Sequence, residues 1–217
     1  MRRWAIILAA ALSGLLVFIS MFVDPGPDAS GKELIQVYAD HPLRQGVHTN
    51  LIHYGFALFA PVAFALVGLV RRRGAWLANV AGLLAVIGLT TLPGLVLSDF
   101  HDVGTAQVAG VDVAAAAADA TGNLPGFLPI LIPALACSLL TLPLAATAAW
   151  RARLLPWWMP LSLFVAFGVG RMLPGRVAFG PLALATAALA YALWRIPLPR
   201  WFGEPQTSSE ERDLPQP

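Results

Sequence analysis

The chain has 217 residues, of which 58% are hydrophobic and only 12% charged, and its mean hydropathy is +0.70. Soluble domains carry about a quarter charged residues, so composition argues against a soluble globular domain and for the membrane class. The formal net charge is +2, and the arginines stand at the ends of apolar runs rather than on one face, which leaves no basic surface for nucleic acid.

A helical span needs about 20 mostly apolar residues, and six stretches qualify: 4–23, 49–70, 75–97, 124–150, 154–172 and 177–196. The pattern predicts an all-α, six-transmembrane-helix bundle over 1–202 and a disordered cytoplasmic tail over 203–217, rich in Pro, Gln, Ser and Glu. The first stretch follows Arg2 and Arg3 as a signal peptide would. Its apolar core is long and no small-x-small site stands out before Asp24, so it reads as an uncleaved anchor.

After the first span, Pro25-Gly26-Pro27 breaks the helix. Ser30-Gly31-Lys32-Glu33 then has capping-box spacing, and Leu34, Ile35, Val37 and Tyr38 follow at partly helical intervals. A short amphipathic helix is predicted over 31–39, lying on the outer surface or over the bundle. The second span carries Pro61 and the third Pro93-Gly94. Between the third and fourth spans, residues 98–123 form a long loop whose run from Ala114 to Ala118 favours a short helix. The fourth span carries Pro125, Pro129, Pro133 and Pro143. The first three recur every four residues and share one face, which suits either a kinked packing helix or a broken helix lining a path. The turns at 71–74 and 151–153 are short, so the second and third spans, and the fourth and fifth, are predicted to form hairpins.

Arginine distribution predicts orientation. With the N-terminus inside, Arg2, Arg3, Arg71, Arg72, Arg73, Arg151, Arg153, Arg195, Arg200 and Arg212 are inner, against Lys32, Arg44, Arg171 and Arg176 outer. That bias follows the positive-inside rule and places both termini in the cytoplasm of a cell (plasma) membrane. All seven tryptophans lie near inner arginines, as interfacial indoles do. The repeated order of apolar helix, arginine cluster and Trp suits either an internal duplication of parallel hairpins or, preferred here, the charge and aromatic belts that every short cytoplasmic turn carries. Cys137, the sole cysteine, falls mid-helix, where it fills space as a small apolar residue.

All four histidines, His41, His48, His53 and His101, fall outside or at the outer boundary, close to Asp40, Asp99 and Asp102. Imidazole and carboxylate donors suit Zn, Cu or Mn, so His48, His53, His101, Asp99 and Asp102 form a candidate metal set at the outer mouth. The alternative is that they are polar residues ending helices and facing water. Arg171, at the outer end of the fifth span, is a possible ion-pair partner for Asp99 or Asp102. No metal, nucleotide, thiol-redox or hydrolase motif is present, so no cofactor and no enzyme activity is implied. No ionisable residue falls mid-span, which counts against proton- or ion-coupled transport.

The turn fragments Arg71-Arg72-Arg73-Gly74-Ala75-Trp76-Leu77 and Arg151-Ala152-Arg153-Leu154-Leu155-Pro156-Trp157-Trp158 resemble the cytoplasmic turns of uncharacterised bacterial multi-pass membrane families, including the DUF4386-like proteins. The resemblance covers the central hairpins and implies no activity. Three functional classes follow, in order of preference. The first is a structural or regulatory membrane protein acting through the lipid bilayer or protein partners. The second is a small permease or channel for a neutral or apolar solute. The third is an outer-face metal-binding or redox protein.

Overall fold

The computed structural model describes residues 1–71, 73–170, 172–173 and 175–202, and among those residues all regular secondary structure is helical. The helices are α1 (Arg2–Val23), α2 (Gly31–Asp40), α3 (Pro42–Ala57), α4 (Phe59–Leu69), α5 (Ala75–Val96), α6 (Ser98–Ala109), α7 (Val111–Gly122), α8 (Phe127–Arg151), α9 (Trp158–Gly170), α10 (Gly180–Arg195) and α11 (Leu198–Phe202). Five helical stretches are long and apolar enough to cross a membrane: Arg2–Val23, Pro42–Leu69, Ala75–Ala109, Phe127–Arg151 and Gly175–Arg195. The fifth expected span, 154–172, is shorter than the sequence suggested. Pro156 holds back its start to Trp158 and it ends at Gly170, about 20 Å at 1.5 Å per residue, against a hydrocarbon core of about 30 Å. The disordered tail expected over 203–217 lies outside the described residues.

The long helices close into a ring. α1 packs between α10 on one side and α3 with α4 on the other; α5 lies against α3, α4 and α8; α9 joins α8 to α10. The hairpins expected of the second and third spans, and of the fourth and fifth, are therefore present. Small residues set the spacing. A Cβ on Gly55 of α3 would lie 2.9 Å from the Ser13 carbonyl oxygen of α1, and one on Gly88 of α5 would lie 2.7 Å from the Cys137 carbonyl carbon of α8. Backbones approach this closely only where no side chain intervenes. The core between them is built from Ala, Leu and Val, with Val17, Val62, Leu66, Leu142, Leu163, Leu182 and Leu189 fully buried.

Breaks in the helices have chemical causes. The second span separates into α3 and α4 at Leu58, where Pro61 has no N–H to give the carbonyl four residues earlier. The third span runs on through Leu97 into α6, reaching Ala109, about 50 Å in all and well beyond an apolar core. Gly110, at φ +93, then turns the chain into α7. The long loop expected over 98–123 is thus two full helices rather than one short one. α8 ends in a Schellman motif: Arg153 donates to the Trp150 carbonyl and Leu154 to the Ala149 carbonyl, with Arg153 at φ +57 where glycine is usual.

At one end of the bundle, α2, α6 and α7 pack together as a cap around Ile35, Ala106 and Ala114. The amphipathic helix expected over 31–39 is there as α2. Ser30 is its N-cap with extended backbone, but its hydroxyl makes no capping bond, so only half of the capping-box reading holds. An exposed ion pair, Lys32 to Asp112 at 2.5 Å, ties α2 to α7. The arginine-bearing turns lie at the other end.

Candidate functional site

Beneath the cap, α1, α2, α3 and α6 bring a set of polar side chains out of water. Asp24 follows the last turn of α1, and its Oδ1 accepts from the Gly26 amide at 2.9 Å, which fixes the Pro25-Gly26-Pro27 turn. His48 on α3 is 4% exposed and Asp24 7%. The Nδ1–H of His48 donates to the Ser20 carbonyl at 2.9 Å, and its Nε2 stands 3.7 Å from Asp24 Oδ2. One helical turn away, Gln45 Nε2 donates to Thr49 Oγ1 at 2.9 Å, and that hydroxyl donates to Asp99 Oδ2 at 3.3 Å. The Tyr38 ring of α2 closes this set from above, 6.2 Å from the His48 ring. Burial first, then the negative charges of Asp24 and Asp99, pushes the Tyr38 phenol well above its ordinary range, so it keeps its proton.

Below the Thr49–Asp99 pair the wall turns apolar. Ile52 is one turn from Thr49 on α3, and Val96 is one turn from Asp99 on α5. Together with Phe56, Leu92, Leu135, Ser138, Leu139, Phe167 and Phe179 they line a cavity of about 210 Å³. The ring of helices accounts for it. In the arginine-bearing half α4 reaches across to pack on α8, whereas in the capped half the cavity separates α3 from α8. Phe59 meets Phe56 at 5.8 Å and Phe167 at 5.6 Å in tilted contacts, an aromatic floor toward the arginine end. Ser138 brings the sole hydroxyl among the described lining residues, and it donates to the Ala134 carbonyl at 2.6 Å.

No family model, curated protein or solved structure matches the chain. The likeness of its arginine-rich turns to bacterial multi-pass families therefore rests on those fragments alone, and function has to be argued from this geometry.

The structure places the sequence-predicted residues apart. His53 Nδ1–H donates to the Pro93 carbonyl at 2.8 Å. That carbonyl has lost its own helical donor, because the Leu97 amide turns to Gly94 at the end of α5. His48 also serves a helix-end carbonyl, that of Ser20, which keeps its helical donor in the Asp24 amide. His101 is exposed, its Nδ1 3.7 Å from Asp102 Oδ1, and His41 is exposed at the start of α3. Among the described residues no group of three or more His, Cys, Asp or Glu side chains lies close enough to hold a metal ion. His48, His53, His101, Asp99 and Asp102 thus do not converge as a ligand set. Arg171 lies outside the described residues. The proline stripe also corrects the path reading: Pro125, Pro129 and Pro133 are exposed on the outside of the bundle, and only Pro143 is buried.

Sequence reading missed Asp24, Tyr38, Gln45 and Thr49 as members of the polar set. The available signal was Gln45, Thr49 and Ile52 at helical spacing, continuing one face of the second span upward into polar residues.

Proposed function

We propose that the protein is a multi-pass plasma-membrane protein that binds a small neutral or apolar solute between its helices, as a permease for such a solute must. The observation that carries this is the 210 Å³ apolar cavity under the Thr49–Asp99 pair. Ligand pockets in helical bundles lie between helices, with apolar walls and a few polar groups that orient the guest. A polar roof and apolar walls suit a neutral molecule with one hydrogen-bonding end, since a charged guest finds no counter-ion among the lining residues. The cavity favours this over a purely structural or regulatory role.

The reading places six passes across the membrane, with both termini in the cytoplasm. Supporting it, α9 begins among the arginine-end turns, while Gly175, just beyond it, approaches Asp28 beneath the cap. That separation supports a crossing by the fifth span even though α9 alone is short.

The test is ligand-dependent thermal stabilisation of the purified protein against a panel of small neutral aromatics, terpenes and alcohols. Leu135→Trp puts an indole into the cavity, so wild type gains stability with at least one class and the variant does not. Equal stabilisation of both proteins, or of neither, would sink the proposal.

A further inference from the structure

A second, larger cleft lies at the arginine-bearing end, far from the capped polar set. It encloses about 770 Å³ between the start of α1, α4 and α11. Arg2, Arg3, Arg71 and Arg200 line it, with Trp4 and Trp201, and no carboxylate does among the described residues. Its remaining wall is apolar, including Pro61 and the exposed ring of Phe64. The Arg3 guanidinium is held in place: it donates to the Trp194 carbonyl and lies 5.8 Å from the centre of the Trp4 ring.

Two donors in this cleft are left over. Arg3 Nε and Trp201 Nε1 are buried and have no hydrogen-bond partner among the described residues. A buried donor without an acceptor costs about 1–3 kcal/mol, so two from the same cleft, beside further guanidinium groups, mark the place of a missing acceptor. The acceptor must be anionic, because four arginines line the cleft and no carboxylate among the described residues does, and it must offer several oxygens. A phosphate does both, and the Arg fork matches its geometry. The apolar wall says what carries that phosphate. Pro61 and Phe64 belong to the apolar helical stretch Pro42–Leu69, so a chain lying along them is in contact with hydrocarbon while its head meets the arginines.

We propose that this cleft binds an anionic phospholipid, its phosphate held by Arg3, Arg71, Arg200 and Trp201 and one acyl chain lying along Pro61 and Phe64. A zwitterionic lipid adds a cationic headgroup to a cluster that is already cationic and is disfavoured. Basic pockets between membrane helices recognise anionic headgroups in this way. The inference stands on membrane embedding alone and is independent of the solute cavity.

The test is competition for the full-length protein in detergent between phosphatidylglycerol and phosphatidylcholine of equal chain length, read by native mass spectrometry. Wild type retains phosphatidylglycerol preferentially. In the double variant Arg71→Gln/Arg200→Gln that preference falls by about tenfold to thirtyfold, while Arg71→Lys/Arg200→Lys keeps most of it. A second arm adds inorganic phosphate at millimolar concentration, which leaves the lipid bound. Displacement by phosphate would assign the cleft to a soluble phosphate compound and overturn the lipid reading. Equal retention of the two lipids by wild type also overturns it, and that arm needs no variant to fold.

Discussion

Replacing Gly88 by alanine tests the packing on which both the ring and its cavity depend. The added Cβ would stand 2.7 Å from the Cys137 carbonyl carbon and 2.8 Å from Ser138 Oγ, and closer still to the Ser138 amide nitrogen, whereas ordinary contact begins at 3.4 Å. Backbone cannot swing aside as a side chain can, so α5 and α8 must part by about 0.7 Å or more at this point. A gap of that order forfeits a quarter to a half of each contact of ~0.1–0.2 kcal/mol that it opens. Over the roughly 40 contacts of one buried side chain, the loss is about 2 kcal/mol. The helix-propensity gain of Ala over Gly, about 1 kcal/mol, offsets part of it. Gly94 on the same helix supplies the control, because nothing lies within 4 Å of its Cβ position. Chemical unfolding in mixed micelles, comparing Gly88→Ala with Gly94→Ala, should separate them by about 2 kcal/mol with Gly94→Ala the more stable. Equal stability of the two variants would refute the close approach of α5 and α8.

Thr49→Val removes the hydroxyl between Gln45 and Asp99 and leaves the buried Gln45 amide without its acceptor; it should destabilise by about 1–3 kcal/mol in the same assay, with Thr49→Ser near wild type. The raised pKa of Tyr38 means that the folded chain keeps a proton that the unfolded chain releases near the ordinary phenol value of about 10. Its contribution is complete below that pH and is lost as pH rises above it. Unfolding midpoints measured on the alkaline side should therefore fall more steeply for wild type than for Tyr38→Phe, and parallel slopes contradict the burial of this phenol. Arg153→Gly relieves a left-handed conformation at the end of α8 and should be neutral or stabilising by up to about 1 kcal/mol, whereas Arg153→Val should lower the melting temperature.

The apolar spans were legible because a 20-residue hydrophobic run has few alternatives to a buried helix. The amphipathic α2 was legible from Pro-Gly punctuation followed by helical spacing. What escaped was set by tertiary partners. The Ser30-to-Glu33 spacing marks where α2 begins, yet the hydroxyl does not cap it. The proline stripe over 125–133 shares a face, but nothing local says whether that face turns in or out, and it turns out. α6 and α7 are built mostly of Ala, Val, Gly and polar residues, too weakly apolar to announce two helices. They find their apolar contacts against each other and α2.

The histidines were read by donor type, which is the same for a metal ligand and for a helix-end donor. Only the positions of the Ser20 and Pro93 carbonyls distinguish the two uses. Asp24 looked like a residue leaving the membrane, and its burial depends on α2 folding back over it. The cavity was invisible for a related reason, since Ile52, Val96, Leu139 and Phe167 read as ordinary packing residues. The space between them arises because α4, and not α3, crosses to α8.

The measurement closest to the central claim is the location of a bound guest. The purified protein would be crystallised with a small brominated neutral aromatic, and the bromine would be placed by anomalous scattering. The account predicts a bromine between Ile52, Val96, Leu139 and Phe167, below the Thr49–Asp99 pair. Bromine found only in outward-facing grooves of the bundle, with the cavity empty at saturating ligand, would contradict it.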